Sequence, residues 1–403
     1  MKRAAAFIPF LAVALLSAAP TVSPRGAEEL STFLKAATDR GDVPGVAVAV
    51  VNKGGLLYNE AFGRSSTLTN RPMTKDTIFN MASMTKPVTS VAIMMLVDEG
   101  KLTLDDEVAK YLPKYKDPVV ISSFNAADAS YETRPAKRAI TIRHLLTHTS
   151  GIGYGFSSPT LTKIMQKTGK GEMDMPLLFD PGESWAYGAS TRVLGQVVEA
   201  ISGQKIDAFL QARILGPLGM NDTSYLVPTT KYSRVVAVNA RGADGKFVER
   251  PMPATIPATV QGDGGLYGTA ADYGLFLRML LNRGKLGNTR ILSDKAVKTM
   301  FENHMGSGVV QPQESANQSL SRNFPVGAGK DRWGLGFQLA ADKQTNRRSP
   351  GSGTWAGIFN THFFIDPSKE LGVVVMMQTL PFYDEASMKV YAGVEEAVYK
   401  NLR

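Results

Sequence analysis

Ser83 and Lys86 stand three residues apart at the beginning of a strongly apolar stretch, in the segment Ser83-Met84-Thr85-Lys86. Residues at this spacing lie on the same face of a helix, so the lysine amine can reach the serine hydroxyl. The first turn of a helix also presents unpaired backbone N–H groups and the positive end of the helix dipole, and both stabilise developing negative charge. The segment can therefore supply a serine nucleophile with a basic partner.

The spacing alone is weak support for this chemistry, because Ser202-Gly203-Gln204-Lys205 repeats it. Gly203 is expected to end a helix, which would break the geometry that brings Lys205 to Ser202. A serine at the start of a helix is also a common capping residue. The interpretation of Ser83 as a nucleophile therefore depends on residues elsewhere in the chain.

The elements that must position Ser83 can be predicted from patterning. The apolar residues after Ser83 predict a buried helix over about Ser83–Glu99, with Gly100 as its C-terminal cap. Strand-like segments lie near both ends of the chain, and the middle of the chain is mainly helical. The predicted strands are Val46–Val51, Leu56–Phe62, Thr361–Ile365 and Gly372–Met377, and the predicted terminal helices are Glu28–Arg40 and Asp384–Arg403.

These segments predict an α/β (α+β) fold, in which an antiparallel sheet from the N- and C-terminal segments is flanked by helices. A mainly helical subdomain, at about 105–252, is expected to be inserted between sheet regions at about 28–104 and 253–403. Residues 118–138 are predicted to be an irregular excursion, and the polar residues 303–330 a surface loop. We expect these two loops to decide the natural substrate, which the sequence does not identify.

Three motifs in order along the chain carry a family resemblance. The first surrounds Ser83 and Lys86, the second is PGESWAYGASTRVLG with Tyr187 before a helix, and the third is SGTWAGIFNTHFFIDP with Trp355-Ala356-Gly357 on a strand. RHLLTHTSGI and GDGGLYGTAADYGLFLRMLL add to the likeness. The set resembles the serine hydrolases of the penicillin-binding fold, a family that includes class C β-lactamases, D-alanyl-D-alanine peptidases and family VIII carboxylesterases. The resemblance covers residues 28–403 and implies a β-lactamase/transpeptidase-like architecture.

The resemblance also implies a role for each motif residue. Ser83 would attack an ester or amide carbonyl to form an acyl-enzyme, while Lys86 and Tyr187 would share the proton transfers. The backbone N–H groups of Ser83 and Ile358 would form the oxyanion hole. Trp355, followed by Gly357, would line the pocket for the acyl or alcohol group of a small-molecule substrate. Such chemistry requires no metal and no organic cofactor.

Two positions depart from the β-lactamase pattern. Where those enzymes carry Tyr-x-Asn this chain has Tyr187-Gly188-Ala189, so the amide that would contact a β-lactam side chain is missing. Where they carry Lys-Thr-Gly it has Trp355-Ala356-Gly357, so an aromatic side chain replaces the cation that would pair with a substrate carboxylate. Trp-x-Gly resembles the family VIII carboxylesterases. The sequence therefore favours an esterase over a β-lactamase or D-amino-acid peptidase, and over a catalytically inactive cell-wall binding module.

His148 is the rival base, because a Ser-His-Asp triad is the commonest serine-hydrolase arrangement. The chain has no G-x-S-x-G segment, however, which counts against an α/β-hydrolase nucleophile elbow. His148 in Thr147-His148-Thr149 is therefore interpreted as a residue that structures its loop. The chain also lacks cysteine, which excludes a thiol nucleophile, disulfides and thiolate metal sites.

The N-terminus has the pattern of an export signal. Lys2 and Arg3 precede the apolar run Ala4–Leu16, and Ser17-Ala18-Ala19 offers small residues for cleavage, so residues 1–19 are predicted to be removed. We therefore expect a periplasmic or secreted protein that is not inserted in the membrane. The formal net charge of +9 comes from interspersed residues without a basic helix, which argues against a nucleic-acid partner. A monomer is expected.

Overall fold

The computed structural model describes residues 19–343, 345 and 347–403. The predicted export signal thus lies almost wholly outside the described residues, and it stays a prediction, as does the location that depends on it. Within the described part of the chain, no helix has both the length and the apolar character needed to cross a bilayer.

The helices begin with α1 and end with α9, which pack against each other at the two termini of the chain. They are α1 (Pro24–Asp39), α2 (Thr85–Asp98), α3 (Ile142–Leu146), α4 (Pro159–Thr168), α5 (Ser190–Ser202), α6 (Ile206–Leu210), α7 (Ala270–Leu281), α8 (Asp294–Met300) and α9 (Glu385–Lys400). The predicted terminal helices are confirmed, α1 with an earlier start at Pro24 and α9 with Asp384 as its N-cap.

The strands are concentrated in the first and last quarters of the chain. They are β1 (Gly45–Asn52), β2 (Leu56–Ser66), β3 (Arg71–Pro72), β4 (Phe79–Asn80), β5 (Val119–Phe124), β6 (Tyr131–Pro135), β7 (Asn239–Arg241), β8 (Phe247–Glu249), β9 (Tyr267–Gly268), β10 (Lys285–Leu286), β11 (Thr289–Arg290), β12 (Arg332–Trp333), β13 (Gln338–Leu339), β14 (Gly353–Gly357), β15 (Thr361–Asp366), β16 (Leu371–Met376) and β17 (Thr379–Leu380).

An antiparallel sheet of eight strands forms the centre of the fold, in the order β12-β13-β14-β15-β16-β1-β2-β3. Strand β1 from the N-terminal segment pairs with β16 from the C-terminal segment, with Ala47 opposite Met376. The predicted sheet from the two ends of the chain is therefore confirmed, as is the mixed α/β class with its flanking helices.

Both faces of this sheet are covered, which explains why β1 is apolar at consecutive positions. Val46, Val48 and Val50 pack into the cluster that includes α1 and α9 residues, whereas Ala47 and Ala49 belong to the core with α2 and α7. All five side chains are essentially inaccessible to solvent. Burial of a valine side chain contributes about 1.5–3 kcal/mol, so β1 holds the two layers together.

The prediction of an irregular excursion at 118–138 is wrong, because β5 and β6 form a hairpin there. Val119–Phe124 and Tyr131–Pro135 contain the β-branched and aromatic residues that favour strands. Asn125 and Asp128 accept hydrogen bonds from nearby backbone N–H groups in the connecting turn. By contrast, residues 301–331 contain no helix or strand, as expected for the predicted loop.

Candidate active site

Ser83 lies in a one-turn 3₁₀ helix, Ala82–Met84, that leads directly into α2. The predicted helix start is therefore confirmed, with a tighter first turn than expected. Ala82 has φ 43°, a region that residues other than glycine seldom adopt, and its N–H donates to Oδ1 of Asn80 at 3.0 Å. Backbone strain of this kind costs about 1–3 kcal/mol and persists only where surrounding contacts enforce it. The turn presents the partly exposed Ser83 to a cleft.

Lys86 is buried beneath the serine, with only 2% of its surface exposed. Its Nζ donates to Oγ of Ser83 at 3.1 Å and to the backbone oxygen of Asp263 at 2.7 Å. The same nitrogen lies 5.2 Å from the ring centroid of Tyr154 and 4.8 Å from that of Tyr187. Because a buried amine is tolerated only where it has partners, these contacts fix the amine beside the serine hydroxyl.

Tyr187 is held on the other side of Lys86 by contacts from two distant segments. The indole N–H of Trp355 donates to its hydroxyl at 3.2 Å, and its own backbone N–H donates to Oε1 of Gln313 at 3.0 Å. A side chain at Gly188 would collide with the backbone of Ile152, so glycine is required next to Tyr187. The three residues predicted to do the chemistry are thus brought together around the Lys86 amine.

Ser83 lines a cleft with a volume of about 320 Å³. Its lining residues include the predicted oxyanion partner Ile358, together with Tyr154, Asp263 and Arg192. Among the residues that the structure describes, the backbone N–H groups of Ser83 and Ile358 donate to no other protein group. Two such amides beside one hydroxyl are suited to bind the oxygen of a tetrahedral intermediate.

Gly357 sets the distance between strand β14 and the turn that carries Ser83. A Cβ atom built at Gly357 would overlap the backbone oxygen of Met81 and Oγ1 of Thr361. Thr361 itself donates to that Met81 oxygen at 3.4 Å. Only glycine therefore allows β14 to approach the turn that carries Ser83 this closely, which gives a physical reason for the residue in the third motif.

Gly357→Ala is expected to lower kcat/KM for an ester by about 10- to 100-fold, because a displacement of the reacting groups by about 1 Å can cost 100-fold. Gly55→Ala is the matched control, since a Cβ there meets no atom within 4 Å. Steady-state kinetics on both folded variants checks the effect. Wild-type kcat/KM in Gly357→Ala would show that the close approach of β14 is not required.

Trp355 is 5% exposed and packs against Tyr187 with 4.8 Å between ring centroids. It belongs to a cluster with Trp185 and Trp333, and it does not border the cleft at Ser83. Its contact in the structure is thus with the tyrosine hydroxyl, and a contact between Trp355 and substrate stays a prediction. Ala189, at the missing asparagine position, is fully buried at the N-terminal end of α5.

His148 lies behind Tyr187, 2% exposed, with 5.1 Å between the two ring centroids. Burial, together with the nearby charge of Lys86, lowers the pKa of His148 well below its ordinary value, so the imidazole is neutral. Its Nδ1 has no hydrogen-bond partner among the described residues, so no carboxylate orients it as in a triad. The backbone at His148 has φ 55°, as in a tight turn.

The second Ser-x-x-Lys copy does not form a site. Ser202 is the last residue of α5, and Gly203 has φ 69° as its C-terminal cap. Oγ of Ser202 accepts the N–H of Gln204 at 3.2 Å, while Nζ of Lys205 lies 4.0 Å from Glu199. The chain direction changes between the serine and the lysine, as expected from the glycine.

The structure adds a polar network that sequence reasoning missed. The hydroxyl of Tyr154 donates to the carboxylate of Asp263, and Nε of Arg192 donates to both oxygens of that carboxylate at 3.1 and 3.2 Å. Burial, reinforced by the charge of Asp263, raises the pKa of Tyr154 well above its ordinary value, so this phenol keeps its proton. Since the Asp263 backbone oxygen binds Lys86, the network anchors the lysine. The sequence signal that could have pointed to this network is the GDGG segment, which contains Asp263.

Comparison with known proteins agrees with this geometry. The family model described as Beta-lactamase matches residues 30–396. The lovastatin esterase of Penicillium rubens is 30% identical over 380 residues, which cover 87% of this chain and 93% of that protein. Esterase EstB of Burkholderia gladioli is 29% identical over 412 residues, which cover 92% and 94%. The solved structure of a LovD6 mutant of simvastatin synthase from Aspergillus terreus matches with a TM-score of 0.80 at 26% identity, covering 94% of this chain and 95% of that one. The chain therefore belongs to the beta-lactamase family and is an enzyme of the serine hydrolase type.

Proposed function

We propose that the enzyme is a carboxylesterase that cleaves small neutral esters through an acyl-enzyme on Ser83. The observation that carries this proposal is the 3.1 Å contact between Oγ of Ser83 and Nζ of Lys86, at a cleft lined by both Ser83 and Ile358. The esterases among the similar proteins support the reaction class.

The reaction uses groups already placed around the amine. Oγ of Ser83 attacks the ester carbonyl carbon, and as the new C–O bond forms its proton passes to the Tyr187 oxygen, beside which the Lys86 cation lies. The amides of Ser83 and Ile358 bind the resulting oxyanion. The bond to the alcohol oxygen then breaks, and the alcohol leaves with that proton. A water molecule attacks the acyl-enzyme in the same way, which releases the acid and restores Ser83.

The charge of the cleft favours neutral substrates. Of the described residues that line it, Arg192 alone is cationic, and its guanidinium is already engaged by Asp263 and lies 3.7 Å from Glu172. The Lys86 amine is likewise engaged by Ser83 and Asp263. Position 355 carries an indole in place of a cation. A substrate carboxylate would therefore have to compete with existing partners of each cation.

We expect kcat/KM for 4-nitrophenyl butyrate to exceed that for benzylpenicillin and for a chromogenic cephalosporin by at least about tenfold. The lost charge-assisted hydrogen bond to a substrate carboxylate contributes about 1.5–3 kcal/mol, or about 10- to 150-fold. Side-by-side assays of wild type with the three substrates measure the ratio. Faster turnover of benzylpenicillin than of the ester would overturn the esterase proposal in favour of a β-lactamase.

A further inference from the structure

A second cleft, with a volume of about 530 Å³, adjoins the cleft at Ser83. The two clefts share Phe156 and Glu172 in their linings, so they meet at these two side chains. One wall of the second cleft is formed by α4, and the other by residues 316–320 of the surface loop. Its volume falls within the range of sites that bind small organic molecules.

The loop wall is held against the short 3₁₀ turn that carries Phe156. The backbone N–H of Ala316 donates to the backbone oxygen of Phe156 at 2.8 Å. The ring of Phe324, which belongs to the same loop, stacks on the Phe156 ring with 6.1 Å between centroids. The loop at 303–330, which we expect to influence the choice of substrate, therefore forms one side of a defined cleft.

The second cleft has an apolar centre and a polar, uncharged rim. Its apolar lining side chains are those of Phe156, Met165, Ala316 and Leu320. Its amide side chains are those of Gln166, Asn317 and Gln318, which are exposed. Such a surface favours an uncharged apolar group, because contact with it removes that group from water.

Glu172 is the single charged side chain among the described residues that line the second cleft. Its Oε1 accepts the backbone N–H of Gly155 at 3.1 Å, and its Oε2 lies 3.7 Å from Nη1 of Arg192. The carboxylate therefore already has partners on both oxygens. A cationic substrate group would have to compete with the Arg192 guanidinium for it, so the charge of Glu172 does not change the preference for an uncharged ligand.

The proposed mechanism places the alcohol of the ester on the side of the first cleft that leads to Phe156. Tyr187 returns the proton to the alcohol oxygen, so this oxygen lies next to Tyr187 during the reaction. The Tyr187 ring lies 5.3 Å from that of Tyr154 and 5.7 Å from that of Phe324, measured between centroids. Phe156 stacks on the same two rings at 5.4 and 6.1 Å. A chain that extends from the alcohol oxygen past Tyr154 therefore reaches Phe156, where the second cleft begins.

We propose that the second cleft binds the alcohol chain of the substrate, and that the enzyme prefers esters whose alcohol carries a long apolar chain. The chain passes Phe156 and lies against Met165 and Leu320, where its methylene groups are removed from water. This preference rests on the proposed esterase activity of Ser83.

Two isomeric esters test the proposal, because they contain the same atoms and differ only in which side of the ester carries the long chain. They are octyl butyrate and butyl octanoate. We expect wild type to cleave octyl butyrate with a kcat/KM at least about tenfold above the values for butyl octanoate and butyl butyrate. Gas chromatography of the released alcohol, with each ester below its saturation concentration, measures the rates.

Ala316→Trp fills the second cleft with an indole from the loop wall. The ratio of kcat/KM for octyl butyrate to that for butyl octanoate should fall to within about twofold of equality. Ala243→Trp is the matched control, because Ala243 is exposed in the turn between β7 and β8 and lines neither cleft. It should keep the wild-type ratio within about twofold. Since both rates come from one protein sample, partial unfolding does not alter the ratio.

Leu320→Asp provides the same test if Ala316→Trp does not fold. A carboxylate at this half-buried position would lie among the apolar groups that receive the chain, so the ratio should fall at least about fivefold. Equal cleavage of the two isomers by wild type, or an unchanged ratio in either folded variant, would overturn the proposal. Cleavage of 4-nitrophenyl butyrate in the same samples separates this result from a failure of the esterase function, in which no ester is cleaved and both proposals fall.

Discussion

Ser83→Ala is expected to lower kcat/KM for 4-nitrophenyl butyrate by about 10⁴-fold or more, which is the scale seen when a serine nucleophile is removed. Lys86 and the free amides of the cleft would remain, but no hydroxyl would be left 3.1 Å from the amine to form the acyl-enzyme. The measurement is the steady-state rate on purified, folded protein.

Ser202→Ala is the matched control, because Ser202 has the same spacing to a lysine but lies at the end of α5. It should keep kcat/KM within about twofold of wild type, as expected for a surface substitution away from any site. Ester turnover that survives in Ser83→Ala, or is lost in Ser202→Ala, would contradict the assignment of the nucleophile.

Tyr187→Phe is expected to lower kcat by about 10²- to 10⁴-fold, the usual contribution of a general acid–base group. The ring would keep its packing against Trp355 and His148, while the hydroxyl that receives the Trp355 N–H would be removed. Circular dichroism and thermal unfolding establish that the variant is folded, and steady-state assays of ester hydrolysis give kcat.

His148→Asn separates this tyrosine from the rival base. Asparagine tolerates the φ of 55° at this position, so the loop can keep its backbone conformation. Because the His148 imidazole is neutral, buried and without an orienting carboxylate, we expect a loss of less than about tenfold, well below the usual contribution of a catalytic base. A larger loss in His148→Asn than in Tyr187→Phe, with both proteins folded, would point to a histidine-based mechanism.

The central sheet could be predicted because its strands are apolar over consecutive positions and are bounded by turn residues. Residues 45–52 and 371–376 are buried on both faces of the sheet, so their consecutive apolar residues indicate buried strands directly. The hairpin at 119–135 was missed because it leaves much of its surface exposed, including Val119, and its pattern is weak. A bridge to Leu177, far along the chain, helps to fix its position.

The contact between Ser83 and Lys86 could be predicted because it is local, and the position of Tyr187 beside Lys86 could be predicted through its motif. The network that anchors Lys86 could not be predicted, because it joins residues that no local sequence pattern connects. Tyr154 and Asp263 are 109 positions apart, and Arg192 is 71 positions from the same carboxylate. Gln313 lies in a segment without helix or strand, so nothing in its neighbourhood indicated that it holds the backbone of Tyr187.

The most direct test of a serine hydrolase centred on Ser83 is the position of a covalent fluorophosphonate adduct. Wild-type protein treated with the probe and mapped by peptide mass spectrometry should carry one adduct per chain, on Ser83, and ester hydrolysis should fall in proportion to labelling. Protein that stays unlabelled while it hydrolyses esters, or an adduct on another residue such as Ser202, would contradict the account.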